Sequence, residues 1–142
     1  MIRRATEADI GALVALAREF HAASQYSEWS HFSGSAVTEM LQGLLSNDDA
    51  LVLVLEGLTG AIGGVVSHSP VSGDLMAVEM FWWVQPAARG NGLRLLLRLE
   101  EWARERGAVH LAMVAPDKAE NVHRLYERRG YAPVERQFVR AL

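Results

Sequence analysis

Val84-Gln85-Pro86-Ala87-Ala88-Arg89-Gly90-Asn91-Gly92-Leu93-Arg94 is the stretch on which the fold turns. Residues 75–84 before it are an apolar, aromatic-rich run of strand character, and residues 93–106 after it repeat apolar side chains at helical spacing. It reads as a strand-to-helix connection marked by Gly90 and Gly92. The first-turn N–H groups of a helix lack intrahelical partners and lie at the positive end of its dipole, so such a connection is built to meet an anion. The alternative is an ordinary tight turn, since glycine pairs are common between strands and helices. The stretch lacks the Gly-Lys-Ser/Thr ending of a P-loop and lies too far along the chain for the first turn of a dinucleotide fold.

Outward from this point, Gly107 suits a left-handed helix C-cap, and residues 109–114 form the next strand. Strand, helix and strand with short connections imply a right-handed crossover between parallel strands, with the loop at the sheet's carboxyl edge. Upstream, Ile2–Arg4 can form a first strand, and Thr6-Glu7-Ala8-Asp9 has capping-box spacing ahead of a helix carrying Ile10, Leu13, Val14, Leu16, Ala17 and Phe20. Residues 36–45 give a second helix. The apolar run 51–55, the turn 57–60 and residues 61–67 read as a hairpin, and 70–74 turn the chain into the long strand. Downstream, a helix is expected over 118–129, ended by Gly130, with closing strands at 131–134 and 135–140.

With 142 residues, half of them hydrophobic, the chain suits one domain spanning 1–142. A formal net charge of -3 and basic residues scattered along the sequence argue against a nucleic-acid or anionic-membrane partner. The apolar run 10–17 is too short to span a membrane and follows acidic residues, so a cytoplasmic protein is expected. There is no cysteine, which removes disulfides and a cysteine nucleophile. No two of the five histidines stand three or four residues apart on an expected helix, so no metal is expected.

The order of elements resembles the GNAT family of N-acetyltransferases over essentially the whole chain. Three segments carry the resemblance: Ile2-Arg3-Arg4-Ala5-Thr6-Glu7-Ala8-Asp9, Val84-Gln85-Pro86 with Arg89-Gly90-Asn91-Gly92, and Leu125-Tyr126-Glu127-Arg128-Arg129-Gly130-Tyr131. The resemblance implies an α/β fold: a mixed, mostly antiparallel central sheet with flanking helices and a β-α-β acyl-CoA-binding unit. It also implies transfer of an acetyl group from acetyl-CoA, as cosubstrate, to a primary amine on a small molecule or peptide. The family's loop holds the coenzyme A pyrophosphate, which here assigns cofactor binding to Arg89, Gly90, Asn91, Gly92, Leu93 and Arg94. Main-chain groups of Trp82 and Val84 would line the pantetheine and acyl carbonyl. Because family members often dimerise, the resemblance also leaves a homodimer open.

The sequence departs from the family pattern twice. Arg94 stands where the family prefers glycine or alanine; it either crowds the pyrophosphate or folds outward as a further cation, and the second is favoured. Arg98 can pair with Glu101 on the same solvated face. Ala119 stands where the family commonly has asparagine, and Asn121 is turned about 200° away on a helix. These departures sustain an alternative, a noncatalytic CoA-binding or protein-interaction module on the same fold.

Amine acetylation needs a base for the ammonium, a stabilised carbonyl oxygen and a proton for the departing thiolate. The resemblance assigns the proton to Tyr126, although Val122, Leu125 and Tyr126 also form one apolar helix face that would suit a core tyrosine. Glu79 is the candidate base: strand alternation sets it on the face of Ala77, Phe81 and Trp83, where aromatic surroundings would raise its pKa. The alternative is a glutamate on a partly wet sheet face, with His68, His31 or water as base. Tyr26, Trp29, His31 and Phe32, in the connection 21–35, either line the substrate pocket or cover the core from outside.

Overall fold

The computed structural model describes residues 1–142. Five strands form one sheet in the order β1 (Ile2–Arg4), β2 (Ala50–Leu55), β3 (Gly60–His68), β4 (Leu75–Val84), β5 (His110–Ala112). Neighbours are antiparallel except β4 and β5, which are parallel. Four helices flank the sheet: α1 (Ile10–Ala23), α2 (Gly34–Leu45), α3 (Arg89–Glu105) and α4 (Glu120–Arg128).

β2 shows why the sheet is covered on both faces. All six of its residues are buried. Leu51, Leu53 and Leu55 join the cluster that includes Leu95, Leu96 and Leu99 of α3 and Tyr126 of α4. Ala50, Val52 and Val54 join Leu13 and Leu16 of α1 and Leu41 of α2. A continuous apolar run is what a strand between two helical layers requires. Asp9 opens the α1 side: its carboxylate accepts from the Thr6 N–H at 2.8 Å and from the Arg3 guanidinium at 2.7 and 2.9 Å. The Arg3 hydrogen bond, with the Thr6 N–H, lowers its pKa to about 2.

The α3 side rests on glycine. A Cβ on Gly64 would stand 2.8 Å from Leu99 Cδ1, so the missing side chain is what lets α3 lie close to β3. Replacing Leu99, which is fully buried, with alanine is expected to cost about 2–5 kcal/mol in denaturant unfolding; a loss within experimental error would contradict this packing.

Three expectations need correction. β4 carries a bulge: Gly63 pairs with Phe81 and Gly64 with Glu79, leaving Met80 as the extra residue. Ala77 therefore lies in the α3 cluster while Phe81 and Trp83 lie in the α1 cluster, and Glu79 does not share the face of those two aromatics. α3 starts at Arg89 rather than at residue 93, taking both glycines into its first turn. The two closing strands do not form: residues 131–142 adopt no regular structure, because no strand of this chain lies against them.

Candidate active site

β4 and β5 pair only where Met76, Ala77 and Val78 face His110, Leu111 and Ala112. Beyond Val78 the two strands part, and the fork between them opens toward the loop end of the sheet. The Gln85 N–H bonds the Thr59 carbonyl on the β3 side, so strand alternation turns the main-chain groups of Val84 and Trp82 the other way, into the fork.

Glu79 sits at the bulge, where the fork begins. Its residue is 7% exposed, and Oε1 lies 3.5 Å from the Val114 N–H, the chain having left β5 two residues earlier. Burial raises the carboxyl pKa to about 7, against a weaker downward pull from the Val114 N–H and the Tyr126 hydroxyl. Tyr126, projecting from α4, donates its hydroxyl proton to the Val114 carbonyl at 2.8 Å. Burial first, then the charge of Glu79, pushes its pKa far up, so the phenol stays protonated at any working pH. Val114 thus lies between the two side chains, its N–H toward one and its carbonyl toward the other.

Tyr126 is held from several sides. Its ring stacks on Trp82 at 6.2 Å and leans on Tyr131 at 5.5 Å. The Tyr131 hydroxyl donates to Glu100 at 2.9 Å, and Arg129 reaches the same buried carboxylate at 2.9 Å. Glu100 was not anticipated from sequence, although it stands on the apolar face of α3, four residues after Leu96 and three before Ala103. An acid in a core stripe is a readable sign of a buried partner. The Trp82 indole Nε1 is buried beside Tyr126 and has no hydrogen-bond partner.

The loop residues gather at the mouth of the fork. Gly92 is buried, and a Cβ there would lie 3.1 Å from Val84 Cγ2, so this glycine serves the contact between α3 and β4. Gly90 faces open space, with nothing within 4 Å of a Cβ. Arg89, Asn91 and Arg94 are exposed and Leu93 is half-buried against the core. Arg98 pairs with Glu101 at 3.7 Å.

The four aromatic candidates divide. Tyr26 is half-buried, its pKa raised by burial and then by the charge of Glu79, and its ring lies 6.4 Å from that of Phe20. Trp29, about half exposed, meets it edge-on at 5.5 Å. Phe32 instead packs beneath the Arg18 guanidinium, 4.6 Å from its ring centre, and against the α1 and α2 core. His31 is exposed on the same connection. The connection is tied across the fork by Gln25, which accepts the Lys118 N–H at 2.8 Å, and by Glu28, 3.3 Å from Lys118 Nζ. His68 is exposed at the other end of β3, opposite Leu75, with its ring bonded to the Gly73 carbonyl, so it is not part of the fork.

The site thus combines a sheet that splays at a bulge, a helix N-terminus at its mouth and a buried acid and phenol inside. The chain matches the acetyltransferase (GNAT) family over residues 14–131 and belongs to it. It is accordingly an acetyltransferase drawing on acetyl-CoA. Solved structures share the fold at low identity. Aminoglycoside 6'-N-acetyltransferase AAC(6')-Ig from Acinetobacter haemolyticus superposes with a TM-score of 0.77 at 19% identity, covering 100% of this chain and 97% of that one. Ribosomal-protein-alanine N-acetyltransferase from Brucella melitensis biovar Abortus 2308 gives 0.73 at 22%, covering 100% and 99%. A transcriptional regulator from Bacillus halodurans C-125 gives 0.82 at 18%, covering 100% and 99%. None of the curated proteins compared with the chain matches it. No helix is long and apolar enough to cross a membrane.

Proposed function

We propose that the protein, as one domain acting in the cytoplasm, acetylates a primary amine by direct attack on acetyl-CoA, with both substrates held in the fork between β4 and β5. The observation that carries this reading is the meeting of Glu79 and Tyr126 on the two main-chain groups of Val114. An amine reaching the fork is a cation at neutral pH, and a carboxylate with a pKa near 7 is matched to taking its proton. The protonated phenol of Tyr126 then stands ready to give a proton to the departing thiolate. With no cysteine in the chain, no cysteine acyl-enzyme can form, which supports attack in a ternary complex.

The residues at the mouth fit acetyl-CoA. First-turn N–H groups from Arg89 to Leu93 face the pyrophosphate, with Arg89 and Arg94 as free surface cations alongside. The outward-turned main chain of Trp82 and Val84 offers a strand edge to the pantetheine, whose amides can complete the missing ladder. The unpartnered Trp82 indole adds one donor there. Acetyl-CoA itself supplies the activated acyl group. Tyr26 and Trp29, roofing the fork, are the contacts assigned to the amine, with His31 at the rim. Phe32 is assigned to the core beneath them. The aminoglycoside and the ribosomal-protein alanine in the names of the similar structures are both compatible with a primary amine as acceptor, and the roof sets no narrower class.

Calorimetric titration with acetyl-CoA and with acetylpantetheine tests this assignment. The pyrophosphate contacts predict saturable acetyl-CoA binding and at least about tenfold weaker binding of the truncated thioester. Equal affinity for the two, or no binding of either, would remove the loop from the site.

A further inference from the structure

Glu100 is a charge where packing asks for none. It lies in the buried stripe of α3, beside Leu99 and between Leu96 and Ala103, and its side chain is 8% exposed. A leucine there would complete the stripe without desolvating a carboxylate, and buried ion pairs replaced by apolar side chains of similar volume often leave a fold as stable as before. What the carboxylate adds is direction. Oε1 accepts from the Tyr131 hydroxyl at 2.9 Å and Oε2 from the Arg129 guanidinium at 2.9 Å, while Arg104, one turn further along α3, stands 3.7 Å from Oε2.

Both partners outside α3 hold the same residue of α4. The main-chain N–H of Arg129 reaches the Tyr126 carbonyl at 3.0 Å and that of Tyr131 reaches it at 2.9 Å, with Gly130 at φ 90° making the turn between them. Tyr131 also lies against the Tyr126 ring, 5.5 Å between centres. The remaining polar anchors of α4 face the loop after β5: the Tyr126 hydroxyl on the Val114 carbonyl, and the His123 ring, which donates to the Pro116 carbonyl at 3.0 Å. No other hydrogen bond or ion pair joins α3 to α4 or to its C-terminal turn. The Glu100 carboxylate is therefore the polar link between the helix whose N-terminus forms the entrance and the helix that carries the phenol.

We propose that Glu100 is a positioning residue for the transfer step: by holding Arg129 and Tyr131 it fixes α4 against α3, and with it the place of the Tyr126 hydroxyl relative to a thioester whose pyrophosphate lies at the start of α3. This rests on the reading of Tyr126 as the proton donor. α4 has nine residues and Tyr126 is its one buried residue, so apolar packing alone leaves the helix free to slide. A misplacement of about 1 Å in a reacting group can cost about 100-fold in rate. The contacts assigned to the cofactor lie on β4 and α3, and a shift of α4 leaves them in place.

A double-mutant cycle in steady-state kinetics tests this, with acetyl-CoA affinity read by calorimetry. Glu100→Leu is expected to lower kcat at least about tenfold with an unchanged dissociation constant for acetyl-CoA, and the loss should shrink with thioesters of more acidic thiols. In a Tyr126→Phe background the same substitution is expected to change kcat less than about twofold, because no hydroxyl remains to be placed. Should Glu100→Leu not fold, Tyr131→Phe carries the same test: it removes one hydroxyl from the link, with an expected loss of about threefold that again vanishes in the Tyr126→Phe background. A kcat left unchanged, a kcat lowered by the same factor in both backgrounds, or a loss that appears in acetyl-CoA affinity instead overturns the proposal and leaves the role of Tyr126 standing. If Tyr126→Phe alone leaves kcat unchanged, the reading of the phenol as proton donor fails and the proposal falls with it.

Discussion

Tyr126→Phe is expected to bind acetyl-CoA as the wild type does and to turn over about 10²–10⁴ times more slowly. The ring keeps its place, because Trp82, Tyr131 and the α3 cluster hold it by packing that the substitution does not touch. What is lost is one hydroxyl, 2.8 Å from the Val114 carbonyl and the only phenolic proton in direct contact with that residue. Steady-state kinetics separates the outcomes: a fall in kcat with an unchanged dissociation constant for acetyl-CoA marks a group acting in the reaction. The loss should shrink with thioesters of more acidic thiols, whose thiolates leave without a proton. A variant with unchanged kcat would leave Tyr126 a core residue whose hydroxyl serves only Val114, at a stability cost of about 1–3 kcal/mol for the orphaned carbonyl.

Glu79→Gln carries the second large effect, and it shows in two measurements of opposite sign. In kinetics, kcat/KM is expected to fall about 10²–10⁴-fold and to lose the acid limb that in the wild type rises through a pH near 7. In stability, the variant is expected to gain. The folded-state pKa of about 7 lies above the ordinary 4.5, so between these values the native protein holds a proton that the unfolded chain has released. Wild-type stability therefore declines as pH rises from 4.5 to 7 and levels off above. By pH 8 the buried charge costs on the order of 3 kcal/mol, which the neutral amide does not incur. The melting temperature of the variant should exceed that of the wild type at pH 8 and approach it as pH falls toward 4. An unchanged acid limb would assign the proton to another group, and a stability gap independent of pH would mean that Glu79 is not buried as a titrating acid.

The two residues differ in how openly the sequence announced them. Tyr126 stands in a helix whose apolar face is periodic, so its position under the sheet follows from spacing alone. Glu79 was found as a candidate, but its face was not, because the Met80 bulge shifts alternation by one residue without a proline or glycine in β4 to mark it. Its signal lay on the neighbouring strand: Gly63 and Gly64 leave room for Phe81 and Leu99, and adjacent glycines inside a strand often accompany a bulge. The early start of α3 was hidden by the helix cost of Gly90 and Gly92, which Pro86 ahead of them and the Val84 contact outweigh. Val114 had no signature at all, since it acts through its main chain. The strands expected at 131–140 show the converse case: alternation marks a segment able to pair, while pairing needs an edge within reach.

Release of free CoA thiol from acetyl-CoA across a panel of primary amines, with mass spectrometry of product and of enzyme, tests the central claim most directly. The fork geometry predicts an N-acetylated amine, intersecting initial-rate lines as both substrates are varied, and an enzyme that carries no acetyl group at any stage. Parallel lines with a covalently acetylated enzyme, or tight acetyl-CoA binding with no amine ever acetylated, would contradict it.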